Sequence, residues 1–343
     1  MEKIEFQTSC YDPQIDFIKG VCIIFVILTH CMSRSELGTI LFPFWGDTAV
    51  PIFLIIQTFH YYKKGVFIRM PNFLKLWKRI LQPFILMVAF MFLTQFFIYY
   101  NVTEGRFSPL FYWDMRGPGS YYIFIYLEFA FAFPLFALLF KKVSRKKQFI
   151  TFVILSQLIE FICSITHCPD YIYRVLFFRY IFLIFLGYLL ATKRLELNKF
   201  TVLGSITSII LLYIFNYTEL DLEPFFYTSI DNWQYSHWIC YIYIAYPFLW
   251  FLKYIYQKFS SCHKLLSIIN NIGKYSYEIY LFQIFYYATI SIYVMKVLSI
   301  IENYPLQKIL YIVLSTIVCI IPMAYKERGR LICKNKIKTL VSR

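Results

Sequence analysis

Residues 15–31 read "IDFIKGVCIIFVILTHC". With the two residues that follow, the run is long and apolar enough to cross a hydrocarbon core, for which about 20 residues suffice. Yet it carries Asp16 and Lys19 at one end and His30 near the other. Ionisable groups at membrane depth are costly and as a rule face a protein interior or a water-filled cavity. The helix is therefore expected to turn its histidine toward protein rather than lipid.

The rest of the chain has the same character. Of its 343 residues, 59% are hydrophobic, 22% aromatic and only 15% charged, which is far more apolar than an ordinary soluble domain. Apolar runs recur near 15–33, 39–61, 80–100, 121–140, 149–166, 175–192, 200–217, 237–256, 276–298 and 306–325. The expected fold class is an all-α polytopic membrane protein with about ten transmembrane helices in one bundle. Residues 1–343 are expected to form a single integral-membrane domain, because no repeat, low-complexity tract or soluble insertion interrupts the array. No cleavable signal pattern precedes the first run, so it is expected to remain as a span. The nine cysteines show no CxxC pair and no histidine at ligand spacing, which supports neither a metal site nor a disulfide framework. Cys163 and Cys168 are the one pair close enough in sequence to consider as a bridge.

Charge orients the bundle. With the N terminus in the cytoplasm, 27 of the 34 Lys and Arg residues fall in cytoplasmic segments or at their helix ends, as the positive-inside rule requires. Both termini are then cytoplasmic and the cell membrane is the expected location. The loop with Glu219, Asp221, Glu223 and Asp231 is left outside, and it holds no basic residue. The formal net charge of +15 thus marks one face of a bilayer. It does not call for nucleic acid, since the aromatic residues lie in spans and interfaces. Anionic metabolites and lipid headgroups remain suitable partners for that face.

Lys19 and His30 are eleven residues apart, so at about 100° per residue they return to within roughly 20° of one face. Along the axis they are about 16 Å apart. Asp16, one turn before Lys19, is placed to pair with it and orient it. One stripe thus joins a charged cytoplasmic mouth to an imidazole well inside the membrane, a group that titrates near neutrality and can take up a proton.

This stripe, together with later stretches in order, resembles the membrane-bound acyltransferase 3 family, whose first helix carries a basic residue, ten intervening residues and a histidine. The later stretches are "AVPIFLIIQTFHYYKKG" at 49–65, "KRILQPF" at 78–84, "GPGSYYIFIYLEF" at 117–129, "FFRYIFLIFLGYLL" at 177–190 and "IGKYSYEIYLFQIFYY" at 272–287. The resemblance implies transfer of an acyl group, usually acetyl, from cytosolic acyl-CoA to a hydroxyl of a carbohydrate or surface glycan. No bound cofactor is implied; acyl-CoA is a substrate. Two positions depart from the family pattern. Members commonly carry two arginines at RxxR spacing before the third span, but here Arg79 fills the second place and Leu76 the first. Lys75 and Lys78 stand beside the gap, though a lysine lacks the planar fork of arginine. The ninth-span run commonly ends in histidine, where this chain has Gln283. A glutamine holds a hydrogen bond but cannot shuttle a proton.

Within that implication, His30 is the candidate general base, and Asp16, Lys19 and Arg79 are the candidates for orienting or binding the anionic donor. Acyl transfer also needs donors for the developing oxyanion, and Ser120, Tyr121 and Tyr122 are candidates by chemistry. Glu128, Arg179 and Gln283 are candidate substrate contacts, because ionisable groups within spans are functional or internally paired by default. Arg179 is expected near Glu128 or Glu160. Glu278 is expected to reach the cytoplasmic interface, and His60, beside Tyr61 and Tyr62, reads as an interface residue. His167, His237 and His263 fall near loops. The competing reading is a transporter or flippase for polysaccharide or a glycan precursor, without covalent chemistry. A membrane scaffold would have no use for the Lys19–His30 line.

Overall fold

The computed structural model describes residues 12–63, 73–102, 119, 121–192, 195–196, 198–218 and 237–341. Every regular element among them is a helix. Within hydrocarbon each backbone N–H and C=O must be satisfied inside its own segment, so long apolar runs become helices. In order these are α1 Pro13–Cys31, α2 Ala49–Lys63, α3 Gln82–Val102, α4 Tyr122–Lys142, α5 Arg145–Ile165 and α6 Ile181–Ala191. They continue with α7 Lys199–Tyr217, α8 Leu249–Lys258, α9 His263–Lys274, α10 Ser276–Thr289, α11 Ser291–Leu298 and α12 Tyr304–Val341. α1 starts sharply: Pro13 occupies its first turn and the Asp12 carboxylate accepts from the Gln14 N–H at 2.9 Å, the usual chemistry of a helix start.

Helix occupies each of the ten expected stretches, but not always as one straight span. Among the described residues six helices are long and apolar enough to cross a membrane, or seven if the α10–α11 pair, bent by 57°, is taken as one span. The helical stretch Phe177–Ala191, a 3₁₀ turn followed by α6, is shorter. The stretch expected at 237–256 is broken into Cys240–Tyr243, a π turn over Ile244–Phe248 and then α8. Pro247 lies inside that turn, and its missing N–H and bulky ring interrupt the regular ladder. Ser208 of α7 supports the break. Its Oγ donates to the Cys240 carbonyl at 3.2 Å and accepts from the Tyr243 N–H at 3.1 Å.

α1 is the common member of both large apolar clusters. Ile15, Phe17, Ile18 and Cys22 pack with α2, α6 and the broken helix, while Ile23, Ile27 and Cys31 pack with α10 and α12. Small residues let its neighbours approach closely, as is usual between membrane helices. A Cβ on Gly273 of α9 would meet the Asp16 carbonyl oxygen and stand 2.6 Å from the Asp16 carbonyl carbon and 2.7 Å from the Gly20 nitrogen. α9 therefore lies against α1 backbone to backbone. Gly187 does the same for α6 on α2, where an added Cβ would stand 2.5 Å from the Thr58 Cβ.

Two carboxylates within the expected spans have basic partners. Glu160 faces His237, with Oε2 at 3.4 Å from Nε2, and accepts from Gln157 at 3.1 Å. Glu278 forms an ion pair with Lys326 of α12. Cys163 and Cys168 are adjacent but are both free thiols.

Candidate functional site

His30 lies in the last turn of α1, and Tyr287 of α10 secures that turn. The Tyr287 hydroxyl donates to the Ile27 carbonyl at 2.9 Å and lies 3.0 Å from the Cys31 sulfur, while its ring sits 5.5 Å from the imidazole. The imidazole thus rides on a helix end held from the side by another helix.

Opposite it is Gly119, in the turn that leads into α4. Its φ of +85° belongs to the left-handed region that glycine adopts without penalty. Its carbonyl is held by the Tyr280 hydroxyl at 2.7 Å and the Tyr122 N–H at 3.1 Å. Three side chains converge on this glycine. A Cβ there would lie 3.7 Å from the Gln283 amide nitrogen, 3.7 Å from the Tyr280 ring and 3.9 Å from His30 Nε2. The φ alone explains why glycine stands here, since an added Cβ would make only ordinary van der Waals contacts. The result is an imidazole nitrogen and a fully buried amide facing one point.

From that point a column of tyrosines leads away. Tyr280 packs edge-on against Tyr122 at 5.6 Å and stacks on Tyr277 at 6.2 Å. Tyr122 neighbours Tyr126 at 6.2 Å, and the Tyr126 and Tyr61 hydroxyls are hydrogen-bonded to each other. The Arg79 guanidinium acts electrostatically on both Tyr61 and Tyr126. Arg79 itself is exposed, within a π turn over Trp77–Leu81 just before Pro83. The Tyr277 hydroxyl donates to the Ile80 carbonyl in that turn at 2.6 Å. An aromatic and polar contact path therefore links the π turn that carries Arg79 to Gly119.

The charge of Arg179 also acts on Tyr121, two residues after Gly119. Arg179 lies over the rings of Tyr173 and Tyr180 at 5.3 and 5.4 Å, within cation–π range. Glu128 of α4 accepts from the Phe177 N–H at 2.6 Å, so it holds the start of the 3₁₀ turn, Phe177–Tyr180, that carries Arg179. The expected Glu128–Arg179 neighbourhood is present, with the carboxylate on the backbone of that turn. At the far end of α1, Lys19 pairs with Asp16 at 2.5 Å, as the spacing predicts.

The structure thus brings His30, Gln283, Tyr122 and Tyr121 around Gly119, and places Lys19 with Asp16 three turns away on α1. Ser120 lies outside the described residues. Gly119 and the tyrosines 61, 126, 277 and 280 were not singled out from the sequence. A signal for four of the five tyrosines in the column was present: Tyr122 and Tyr126 are four apart, Tyr277 and Tyr280 three apart, spacings that share a helix face. For Gly119 and Gln283 nothing local announces that they meet His30. His60 packs edge-on against Phe59 at 5.4 Å.

A family model described as an acyltransferase domain matches residues 12–324. Among curated proteins and among solved structures no match was found.

Proposed function

We propose that this chain, which belongs to the acyltransferase 3 family, transfers an acyl group from cytosolic acyl-CoA to a hydroxyl of a carbohydrate or cell-surface glycan, with His30 as general base. The observation that carries the reading is the convergence of His30 Nε2 and the Gln283 amide on Gly119. In this reaction the acceptor hydroxyl gives its proton to Nε2 as its oxygen attacks the thioester carbonyl. The tetrahedral intermediate carries an oxyanion, toward which an amide N–H can donate. Collapse breaks the carbon–sulfur bond, and the imidazolium returns the proton to the leaving thiolate. Gln283 suits the donor role because it cannot compete with His30 for the proton.

The tyrosine column from Arg79 supports a path for the donor. Its aromatic faces fit an uncharged pantetheine arm, while Arg79 and Lys19 supply cations for the phosphates of CoA. Arg179, whose charge acts on Tyr121 beside the Gly119 turn, is suited to a polar acceptor.

The test is a set of donor titrations on purified wild type, Lys19→Gln, Arg79→Gln and His30→Gln, using labelled acyl-CoA and a glycan acceptor. Losing one charged hydrogen bond weakens binding by roughly ten- to a hundredfold. Lys19→Gln and Arg79→Gln should show that loss in donor affinity. His30→Gln should lower turnover by about 10²–10⁴ and leave donor binding intact. If wild type moves glycan without transferring label, the protein is a transporter and the enzymatic reading is wrong.

A further inference from the structure

Apart from the His30 site, one groove of about 550 Å³ stands out, bounded by α5, α6, α7 and the π turn before α8. Its volume falls in the range of pockets for small ligands, roughly 300–1,000 Å³. The lining is sorted by position. The helix walls are apolar, with Phe149, Phe182, Phe185 and Leu186. Arg145 and Lys146 begin α5, and Glu196 lies in the connection between α6 and α7. Both places are on the side to which the charge distribution assigns the cytoplasm.

Two of the bounding helices also present apolar side chains outward: Ile154 and Leu158 from α5, Phe200, Leu203 and Ile206 from α7. Such faces are covered by hydrocarbon in a bilayer. Arg145 and Lys146 line this groove together with Tyr246 of the inner wall. Two cations against one carboxylate leave the mouth net positive.

We propose that this groove holds an anionic glycerophospholipid, its phosphate between Arg145 and Lys146 and one acyl chain along the phenylalanine wall. Charge complementarity at the mouth and apolar depth behind it are the two halves of an amphipathic lipid. A soluble anion would use only the first half, and a neutral lipid only the second. Basic residues at the cytoplasmic interface attract anionic headgroups in general; what is particular here is a walled slot behind two of them. The site shares no residue with the His30 cluster, so it stands or falls independently of the acyl-transfer reading.

Native mass spectrometry of the purified full chain in detergent tests it, with phosphatidylglycerol or phosphatidylcholine of identical acyl chains added. Wild type should retain one phosphatidylglycerol in preference to phosphatidylcholine. Arg145→Gln should weaken that retention roughly tenfold. Lys147→Gln makes the same change of charge at an exposed neighbour that does not line the groove and should retain the lipid as wild type does. Equal retention of the two lipids by wild type would overturn the proposal. So would equal effects of Arg145→Gln and Lys147→Gln, which would mean diffuse attraction. Displacement of the lipid by free coenzyme A at equimolar concentration would assign the cations to a soluble phosphate instead.

Discussion

Gly273→Ala tests whether α1 and α9 meet backbone to backbone. The new methyl would stand 2.7 Å from the Gly20 nitrogen, where ordinary contact begins at 3.4 Å. The helices must therefore part by about 0.7 Å, and by more at the Asp16 carbonyl. A gap of 0.5–1 Å already forfeits roughly a quarter to a half of the dispersion energy between facing atoms. Ile18 and Ile23 of α1 and Ile272 of α9, all buried, would lose packing, and overpacking of this kind costs about 1–3 kcal/mol. The apparent melting temperature, followed by fluorescence-detected size exclusion in detergent, should drop by several degrees. Gly38→Ala is the matched control, since nothing lies within 4 Å of its would-be Cβ, and it should melt with wild type. A Gly273→Ala protein as stable as the Gly38→Ala protein would show that the two helices do not touch in this way.

Three further outcomes follow from the same geometry. Gln283→Leu removes the amide beside His30 and should lower turnover by about 10²–10³, the usual loss for one oxyanion donor, with donor affinity unchanged in the same titration. Glu36 lies outside the spans; burial pushes its carboxyl up, but hydrogen bonds from Lys308, the Ser33 N–H, Tyr304 and the Ser33 hydroxyl outweigh this and hold it at about 2. Its stabilisation is therefore full above the ordinary carboxylate value of 4.5 and fades as pH falls from there through about 2. The melting difference between wild type and Glu36→Gln should be flat above pH 5 and shrink toward pH 2; a constant difference would refute the assignment. Finally, single cysteines introduced at 141–147 should label only from the cytoplasm and those at 219–231 only from outside, and exterior labelling at 145 would invert the topology.

The legibility of this molecule in its sequence follows the range of the interactions involved. Helix positions were readable because an apolar run must satisfy its own backbone, and each expected stretch does contain helix. Breaks were less readable. Pro247 marks its apolar run locally, but the form of the interruption there depends on Ser208 from another helix. The bend between α10 and α11 has no proline or glycine to announce it. At the site, the Asp16–Lys19 pair was readable because both residues lie on one helix. The approach of Gln283 and Gly119 to His30 depends on how three segments cross, and no local pattern encodes that. The same holds for Glu160 and His237, 77 positions apart.

The place of α1 between two clusters bears on how the protein is made. Its α9 neighbour, through Gly20 and Gly273, is separated from it by 253 positions. At about 5–20 residues per second of synthesis, the first helix waits in the membrane for roughly 13–50 s before that partner emerges. During this time the Lys19 and Gly20 side of α1 has only lipid, earlier helices or an insertion factor to rest against. A nascent chain stopped before position 263 would expose this side, and the quality-control machinery would have a polar, glycine-notched helix to detect. This face of α1 is thus closed only when a segment made 253 positions later packs onto it.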